Sequence, residues 1–252
     1  MISVSGKNWE ETFVNKRSVD KLKIDHNFSD ILSNIIISRN FSNEEIYSIN
    51  NKIDFLNPFL NNKDYIETNK IFKKHIDLKS KILIIGDYDV DGCVSTSLIV
   101  NFLNLNNTPS NYYIPDRFTD GYGAGLELII ELVKKHRPNL VMMLDCGSGS
   151  NKSIKYLKSL DIETIVIDHH NLDKPYPESN SLINPKKECN YKNYNYLCSA
   201  FLTYLFLDGF IKKNKYEISI KDNLIYVLLA TIADVMPLRE LNRYMALEVL
   251  KN

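Results

Sequence analysis

Two features of this 252-residue sequence predict an α/β fold, in which a parallel sheet carries helices on both of its faces. Three short apolar runs, at residues 81–85, 140–144 and 165–167, have the length of buried strands. Amphipathic stretches separate them, and strand–helix alternation is typical of a parallel sheet covered by helices. We expect a small helical N-terminal region at residues 1–78 and the α/β domain at residues 79–252.

In the N-terminal region, apolar residues recur at three- and four-residue steps. This spacing predicts helices at residues 30–36 and 66–72. The pair Asn57-Pro58 predicts a break between them. We therefore expect this region to be a small helical lead-in to the rest of the chain.

In the α/β domain the elements follow one another in a regular order. The first apolar strand, 81–85, precedes a helix at about 95–105, a strand at 112–114, a glycine-rich loop and a helix at about 126–135. The strands at 140–144 and 165–167 flank a helix at about 154–160. After Asn184-Pro185 the pattern predicts helices at about 199–210 and 223–230.

Composition limits the function only weakly. Lys plus Arg and Asp plus Glu are equal at 31 each, so no global field draws the protein towards nucleic acid, although a local basic groove is compatible with this balance. The four cysteines are scattered, as expected for reduced thiols in the cytoplasm. No apolar run approaches the length of a membrane span. We expect a cytoplasmic protein without a membrane partner.

Acidic or imidazole side chains follow three of the predicted strands. They are Asp87, Asp89 and Asp91 after the first strand, Asp145 after the third, and Asp168-His169-His170 after the fourth. Ligand sites of open parallel sheets lie at the carboxyl ends of the strands. Carboxylates gathered there repel one another unless cations neutralise them. Oxygen and imidazole ligands suit Mn²⁺, and Mg²⁺ less well, whereas zinc is less expected because thiolates lack the usual spacing.

A site with two cations predicts chemistry at phosphorus. Two metal ions can clamp the attacking and leaving oxygens of an in-line displacement. The run 146–150 contains Gly147 and Ser148, whose backbone N–H groups are candidate phosphate contacts. The residues alone therefore favour hydrolysis of a phosphoester or a phosphoanhydride.

Three other interpretations were weighed. Residues 87–92 begin like a calcium loop, but such a loop needs a glutamate at its twelfth position, which is Leu98, and a helix before it. The tyrosine-rich segment 191–196 is expected to pack, with base stacking left open. His26, His75 and His136 are not expected to bind metal or substrate.

The strand-end residues resemble a known family. Asp168-His169-His170 resembles the signature of the DHH phosphoesterase superfamily, and residues 86–92, 145–147 and 230–238 resemble its first, second and fourth motifs. The chain is most similar to the RecJ branch. Further segments fit that branch, and with them the resemblance covers essentially the whole chain: 5–9 with Trp9, 56–58 with Leu56, 115–118, 121–123 with Tyr122, 184–185 and 197–200.

The resemblance implies a 5′-to-3′ exonuclease that hydrolyses single-stranded DNA in repair and recombination with two Mn²⁺ (or Mg²⁺) ions. It implies that Asp89 holds one metal, Asp91 holds the other, and Asp145 bridges the two. His169 and Asp234 would complete the second metal. We expect single-stranded DNA as the substrate partner, with single-stranded-DNA-binding protein and a helicase as candidate protein partners.

The remaining site residues have expected supporting roles. His170 would contact the scissile phosphate or orient the incoming water. Arg117 is equally well a phosphate contact or a surface arginine. Asp168 is expected to support the ligands without binding metal itself, and Asp87 is expected either to support them or only to cap the following turn.

The sequence also departs from the family. Ile85 occupies a position where some relatives have a histidine, so the first metal is expected to be weaker or completed by water. The sequence stops at Asn252, without the DHHA1-type and OB-like domains of RecJ-type proteins, so we expect a truncated chain that keeps the metals and loses part of the DNA groove. Two alternatives follow: a hydrolase of short oligonucleotides, pyrophosphate or polyphosphate, and a non-catalytic replication scaffold, which the retained ligands disfavour.

Overall fold

A computed structural model of the chain describes residues 2–8, 10, 12–50, 57–121, 123–187 and 193–250. Trp9, Leu56, Tyr122, Cys189 and Tyr191 lie outside these residues. The chain divides into two compact units, Met1–Asp54 and Phe55–Asn252.

The first unit is helical. Its helices are α1 (Lys16–His26), α2 (Asp30–Ser38) and α3 (Asn43–Asn50). Asn15 caps α1 by accepting bonds from the backbone N–H groups of Arg17 and Ser18, which are otherwise unpaired at a helix start. The helices enclose a small core of Leu22, Phe28, Ile36 and Ile46. The sequence predicted α2, but not α1 or α3.

The second unit is built on a five-stranded parallel sheet in the order β2-β1-β3-β4-β5. Its strands are β1 (Ile82–Ile85), β2 (Ser110–Tyr113), β3 (Leu140–Leu144), β4 (Glu163–Ile167) and β5 (Ser181–Ile183). The α/β prediction is confirmed. The sequence did not predict β5, because three residues are too few to show a pattern.

Helices cover both faces of this sheet, as predicted. They are α4 (Lys63–Asp77), α5 (Val90–Leu105), α6 (Leu126–His136), α7 (Asn151–Ser159), α8 (Ser199–Lys213), α9 (Leu224–Ala233) and α10 (Glu240–Leu250). Ile82 and Ile84 point to the core formed with α4, α5, α8 and α9, whereas Leu83 and Ile85 point to the core formed with α6 and α7. Strands buried on both faces read as continuous apolar runs, which is why β1, β3 and β4 were recognisable.

Helix α4 belongs to the second unit, so that unit begins before the boundary that we expect at residue 78. The Tyr65 hydroxyl donates to the Leu202 carbonyl over 3.2 Å, and the Thr68 hydroxyl bonds that of Ser181 on β5. Phe72 is fully buried against α5 and α8. The apolar face that predicts this helix is the face that joins it to the sheet.

The strand order creates a crevice at one edge of the sheet. The chain runs from β1 outward to β2 and then returns to β3 on the other side of β1. Connections on opposite faces leave a gap above the carboxyl ends of β1 and β3, where open α/β sheets bind ligands. Among the described helices, none has both the length and the apolar character needed to cross a bilayer.

Candidate metal centre

The segment after β1 brings three aspartates to the crevice. Asp87 is buried directly beyond the strand, and Asp89 caps α5 by accepting from the Gly92 N–H over 2.9 Å. A Cβ at Gly92 would lie 2.4 Å from the Asp87 backbone nitrogen, so this close turn requires glycine. Asp91, in the first turn of α5, is buried.

Asp145 lies at the last rung of β3, where its N–H donates to the Ile167 carbonyl over 2.9 Å. Its φ of 60° is left-handed, a conformation that Asp and Asn tolerate better than most residues. Both of its carboxylate oxygens are buried and have no hydrogen-bond partner among the described residues. Burial, together with the charges of Asp91 and Asp89, raises the pKa of Asp145 far above that of an ordinary aspartate.

Asp168 follows the last residue of β4, and its carboxylate accepts four hydrogen bonds. Its oxygens accept from the N–H groups of His169 (2.7 Å), His170 (3.1 Å) and Ser148 (2.9 Å), and from His170 Nδ1 (2.8 Å). Burial alone would raise the pKa of Asp168, but the hydrogen bond and charge of His170 hold it well below its usual range. This network supports the prediction that Asp168 positions its neighbours.

His169 faces a ring of carboxylates. Its Nε2 lies 3.5 Å from Asp145 Oδ1, 3.5 Å from Asp234 Oδ2 and 3.7 Å from Asp91 Oδ2. Burial lowers the pKa of His169 in spite of the nearby Asp91 charge, which favours the neutral imidazole that a metal requires. Burial and the charge of Asp89 raise the pKa of Asp234, at the C-terminal end of α9.

Asp91 has a second task that the sequence did not predict. Its two oxygens accept from the backbone N–H groups of Ser199 and Ala200, each over 2.7 Å, at the start of α8. Helix N-termini favour a negative charge there. Burial raises the pKa of Asp91, and these bonds partly oppose the rise. A carboxylate has four lone-pair sites, so Asp91 can cap α8 and still face His169.

His170 differs from His169 in exposure and in charge. Its side chain is 39 % exposed, and its Nδ1 lies 3.7 Å from Asp145 Oδ1. The hydrogen bond to Asp168 raises the pKa of His170, which favours the protonated ring. A half-exposed cationic imidazole at the mouth of the site suits contact with a phosphate.

The ligand atoms form three overlapping groups, and within each group they all lie within 4.8 Å of one another. The groups are Asp87 with Asp89 and Asp145, Asp91 with His169 and Asp234, and Asp145 with His169 and His170. The structure thus brings together every residue that we expect to hold a metal, and it adds Asp87 and His170 to them. The buried and unpartnered oxygens of Asp145 fit a divalent cation, which would neutralise the carboxylates around it.

The predicted phosphate contacts differ in their placement. Gly147 and Ser148 are buried, and the Ser148 N–H donates to Asp168, so this N–H positions Asp168 instead of facing a phosphate. Gly147 has a φ of 108°, and a Cβ there would lie 3.0 Å from Val166. Arg117 is exposed, with its guanidinium 5.5 Å from the centre of the Tyr88 ring, next to Asp89.

Two residues near the site carried no sequence signal of a role. Asn184 is fully buried and donates to the Ser148 hydroxyl over 2.7 Å and to the His170 carbonyl over 3.0 Å, which fixes the histidine segment. The positive charge of Lys186 acts to lower the pKa of His169 and that of Asp234, and Lys186 Nζ donates to Asn171. Contacts between residues far apart in the chain produce no regular spacing of residues from which they could be predicted.

Comparison with known proteins gives a consistent family. The model of the DHH family, N-terminal domain, matches residues 81–232. The single-stranded-DNA-specific exonuclease RecJ of Bacillus subtilis (strain 168) is 27 % identical over 246 residues, which are 96 % of this chain. RecJ of Escherichia coli (strain K12) is 31 % identical over 175 residues, or 65 % of the chain.

A solved structure agrees with these sequences. The crystal structure of exonuclease RecJ bound to manganese superposes with a TM-score of 0.66 and 26 % sequence identity, covering 75 % of this chain and 48 % of that one. The chain spans 30 % of the length of each of the two relatives.

Proposed function

The chain belongs to the DHH family, and on this premise we propose that it is a metal-dependent phosphodiesterase of the RecJ type. The observation that carries the proposal is Asp145, whose buried oxygens have no hydrogen-bond partner among the described residues and are shared by two of the three groups of ligand atoms. Two dications, Mn²⁺ or Mg²⁺, would use Asp145 in common. Similarity to a manganese-bound exonuclease supports this choice of metal.

The residues divide between the two ions. Asp87 and Asp89 would hold one ion and Asp91, His169 and Asp234 the other, with Asp145 between them. When bound, the ions supply activation of the attacking water and neutralise charge on the phosphate. The low pKa of Asp168 and the raised pKa of His170 keep a charged hydrogen-bonded pair beside this position.

The side chains at the mouth would orient the substrate. His170, as a cation, would hydrogen-bond a phosphate oxygen near Asp145. Arg117 and Lys186 would add positive charge on either side of the acidic group. They would offset the repulsion between the carboxylates and a polyanion, which the zero net charge of the chain leaves unopposed.

We assign single-stranded DNA as the substrate, with hydrolysis from the 5′ end. The relatives' names support the substrate, since two RecJ proteins that align with the chain are single-stranded-DNA-specific exonucleases. Action in repair and recombination in the cytoplasm, beside a single-stranded-DNA-binding protein and a helicase, belongs to the same proposal.

The test is a nuclease assay on the purified chain with Mn²⁺. The substrates are single-stranded DNA labelled at the 5′ or the 3′ end, the matching duplex, and pyrophosphate. We expect labelled mononucleotide from the 5′-labelled single strand. We expect Asp145→Asn to lose at least about 10³-fold in rate, because one residue serves both ions.

Glu163→Gln is the matched control, since Glu163 lies at the opposite end of the same sheet. Its rate should stay within about two-fold of the wild type. Hydrolysis of pyrophosphate alone, or release of label first from the 3′ end, would contradict the proposal. So would equal rates for Asp145→Asn and the wild type.

A further inference from the structure

A cavity of about 710 Å³ opens beside Asp89, between α5 and the start of α9. Sites for small molecules commonly measure roughly 300–1,000 Å³. Tyr88 and Asp89 belong to its lining and also to the segment that enters the candidate metal centre. The cavity therefore adjoins the site and shares Asp89 with it, while its other lining residues are not candidate metal ligands.

The walls combine flat apolar surface with amides. Val94 and Leu98 on α5 face the cavity, and the Tyr226 ring, 56 % exposed on α9, lines it too. Asn101 and Asn223 contribute side-chain amides, which offer both donors and acceptors. Asn223 makes no side-chain bond to the helix that it precedes, so its amide is not used as a cap.

The charge of the lining excludes a phosphate. Asp89 is the only charged side chain among the described residues that line the cavity, and none of them is Lys or Arg. An anion would be repelled by Asp89 and would find no cation among the lining residues, since Arg117 lies over the Tyr88 ring but does not line the cavity. A neutral ring with polar edges meets neither obstacle.

We propose that this cavity binds the base of the nucleotide whose phosphate lies at the metal centre. The inference rests on the proposed function and deepens it by assigning a base-binding position. The tyrosine rings and the aliphatic side chains would contact the faces of the base, and every base has a π-face, so binding would tolerate any sequence. The two amides would hydrogen-bond the alternating donors and acceptors of a base edge.

An apolar helix of a protein partner fits the lining less well. The exposed face of α9 does continue with apolar Leu229, outside the cavity. A helix docked over the cavity would bury the amides of Asn101 and Asn223 against apolar side chains, which is unfavourable unless they are paired. A base satisfies them.

The first experiment compares hydrolysis of two single-stranded DNAs that differ only in an abasic residue at the 5′ end. We expect the wild type to show a KM about ten-fold higher for the abasic DNA, the size of effect that loss of one stacked base produces. Tyr226→Leu, which keeps an apolar wall, should raise KM for the normal DNA to the abasic level and leave kcat unchanged.

The control is Leu229→Ala, since Leu229 lies on the same helix but not in the cavity. It should keep the wild-type preference. Equal KM values for the two DNAs in the wild type would overturn the proposal, as would an intact preference in Tyr226→Leu.

A binding measurement separates this proposal from the proposed function, because it needs no turnover. Deoxyadenosine monophosphate and deoxyribose 5-phosphate are titrated into the protein with Mg²⁺, which is diamagnetic, and the methyl resonances of Val94 and Leu98 are followed. We expect the nucleotide to bind about ten-fold more tightly and to shift both residues, with both effects lost in Tyr226→Leu.

If hydrolysis fails in every assay but this binding pattern holds, the nuclease proposal fails and the base site stands. If both ligands bind equally and leave Val94 and Leu98 unshifted, the base site is overturned whatever the activity.

Discussion

The two ends of one sheet differ in what surrounds their carboxylates. At the amino end, Glu163 Oε2 lies 2.6 Å from Lys74 Nζ and 2.7 Å from His75 Nε2. Burial by itself would raise the pKa of Glu163, but the bonds from Lys74 and His75 hold it below its ordinary value. At the carboxyl end, Asp145 has no hydrogen-bonding partner among the described residues, and its pKa is raised.

The two ends differ in whether side chains of the protein neutralise the carboxylate. A buried carboxylate without a partner is costly, so proteins ordinarily pair it. The amino end follows this rule with a lysine and a histidine from α4. The carboxyl end gathers aspartates around His169 instead, and a cation from solution would complete it.

The carboxyl end is itself divided. Asp168 and Asp91 accept bonds from backbone N–H groups, so they fix the positions of the histidine segment and of α8. Asp145 has no such bond among the described residues. These backbone bonds position the site, and Asp91 keeps lone pairs for a metal beside them, whereas both oxygens of Asp145 are available to one.

After Asp145→Asn, the largest effect on the rate is expected from breaking the Asp168–His170 pair. Asp168→Asn should lower the rate of DNA hydrolysis by about 10–100-fold, as loss of a residue that orients a metal site does. Asp168 raises the pKa of His170, so the protonated ring persists to higher pH in the wild type. As the pH is raised, the rate of Asp168→Asn should therefore begin to fall at a lower pH than the rate of the wild type.

The control is Asp161→Asn, because Asp161 is exposed and has a left-handed φ of 55° that asparagine accepts. Rate–pH profiles of the three proteins check the prediction. An alkaline limb at the same pH in Asp168→Asn and the wild type would show that Asp168 does not set the state of His170.

A second test removes the buried carboxylate of Asp145. Without metal, Asp145→Asn should be more stable than the wild type by roughly 1–3 kcal/mol at pH 8, since a buried carboxylate is lost and asparagine accepts the left-handed backbone. The Asp145 pKa is raised in the folded state, so this group costs nothing well below its ordinary value of 3.8 and destabilises progressively as pH rises.

Urea unfolding in EDTA between pH 5 and pH 8 measures the difference. It should grow with pH. An Asp145→Asn variant that is less stable than the wild type at pH 8 would contradict our account of Asp145.

The smallest effect is expected at the amino end. Glu163→Gln should lower stability by about 0.5–1 kcal/mol at pH 7, because the carboxylate is partly exposed and its ion pairs are screened. The Glu163 pKa is lowered in the folded state, so its contribution is present above the ordinary value of 4.5 and is lost as pH falls through the folded value.

The melting temperatures of Glu163→Gln and the wild type should therefore converge below about pH 4 and separate at neutral pH by about 1–4 °C. A variant that melts above the wild type at pH 7 would show that the pair at the amino end does not stabilise the fold.

The sequence predicted the parts of the fold that depend on local pattern. β1, β3 and β4 are uninterrupted apolar runs, and α4 to α9 show the spacing of amphipathic or buried helices. The sequence did not predict β5 and α3, because elements of three and eight residues contain too few repeats of the apolar pattern. The strand-end position of Asp145 and His169 followed from topology alone.

The features of the site that the sequence did not predict depend on contacts between residues far apart in the chain. Asp91 bonds Ser199 and Ala200, more than one hundred residues away, and no spacing announces it. The use of the Ser148 N–H by Asp168 also depends on how two strand ends meet. Local pattern cannot decide whether an N–H faces a ligand or a neighbouring side chain.

Titration calorimetry of the metal-free protein with Mn²⁺ tests the central claim most directly. We predict two ions per chain for the wild type and for Glu163→Gln, and loss of saturable binding for Asp145→Asn. An Asp145→Asn variant that binds the same number of ions with the same affinity as the wild type would contradict the account.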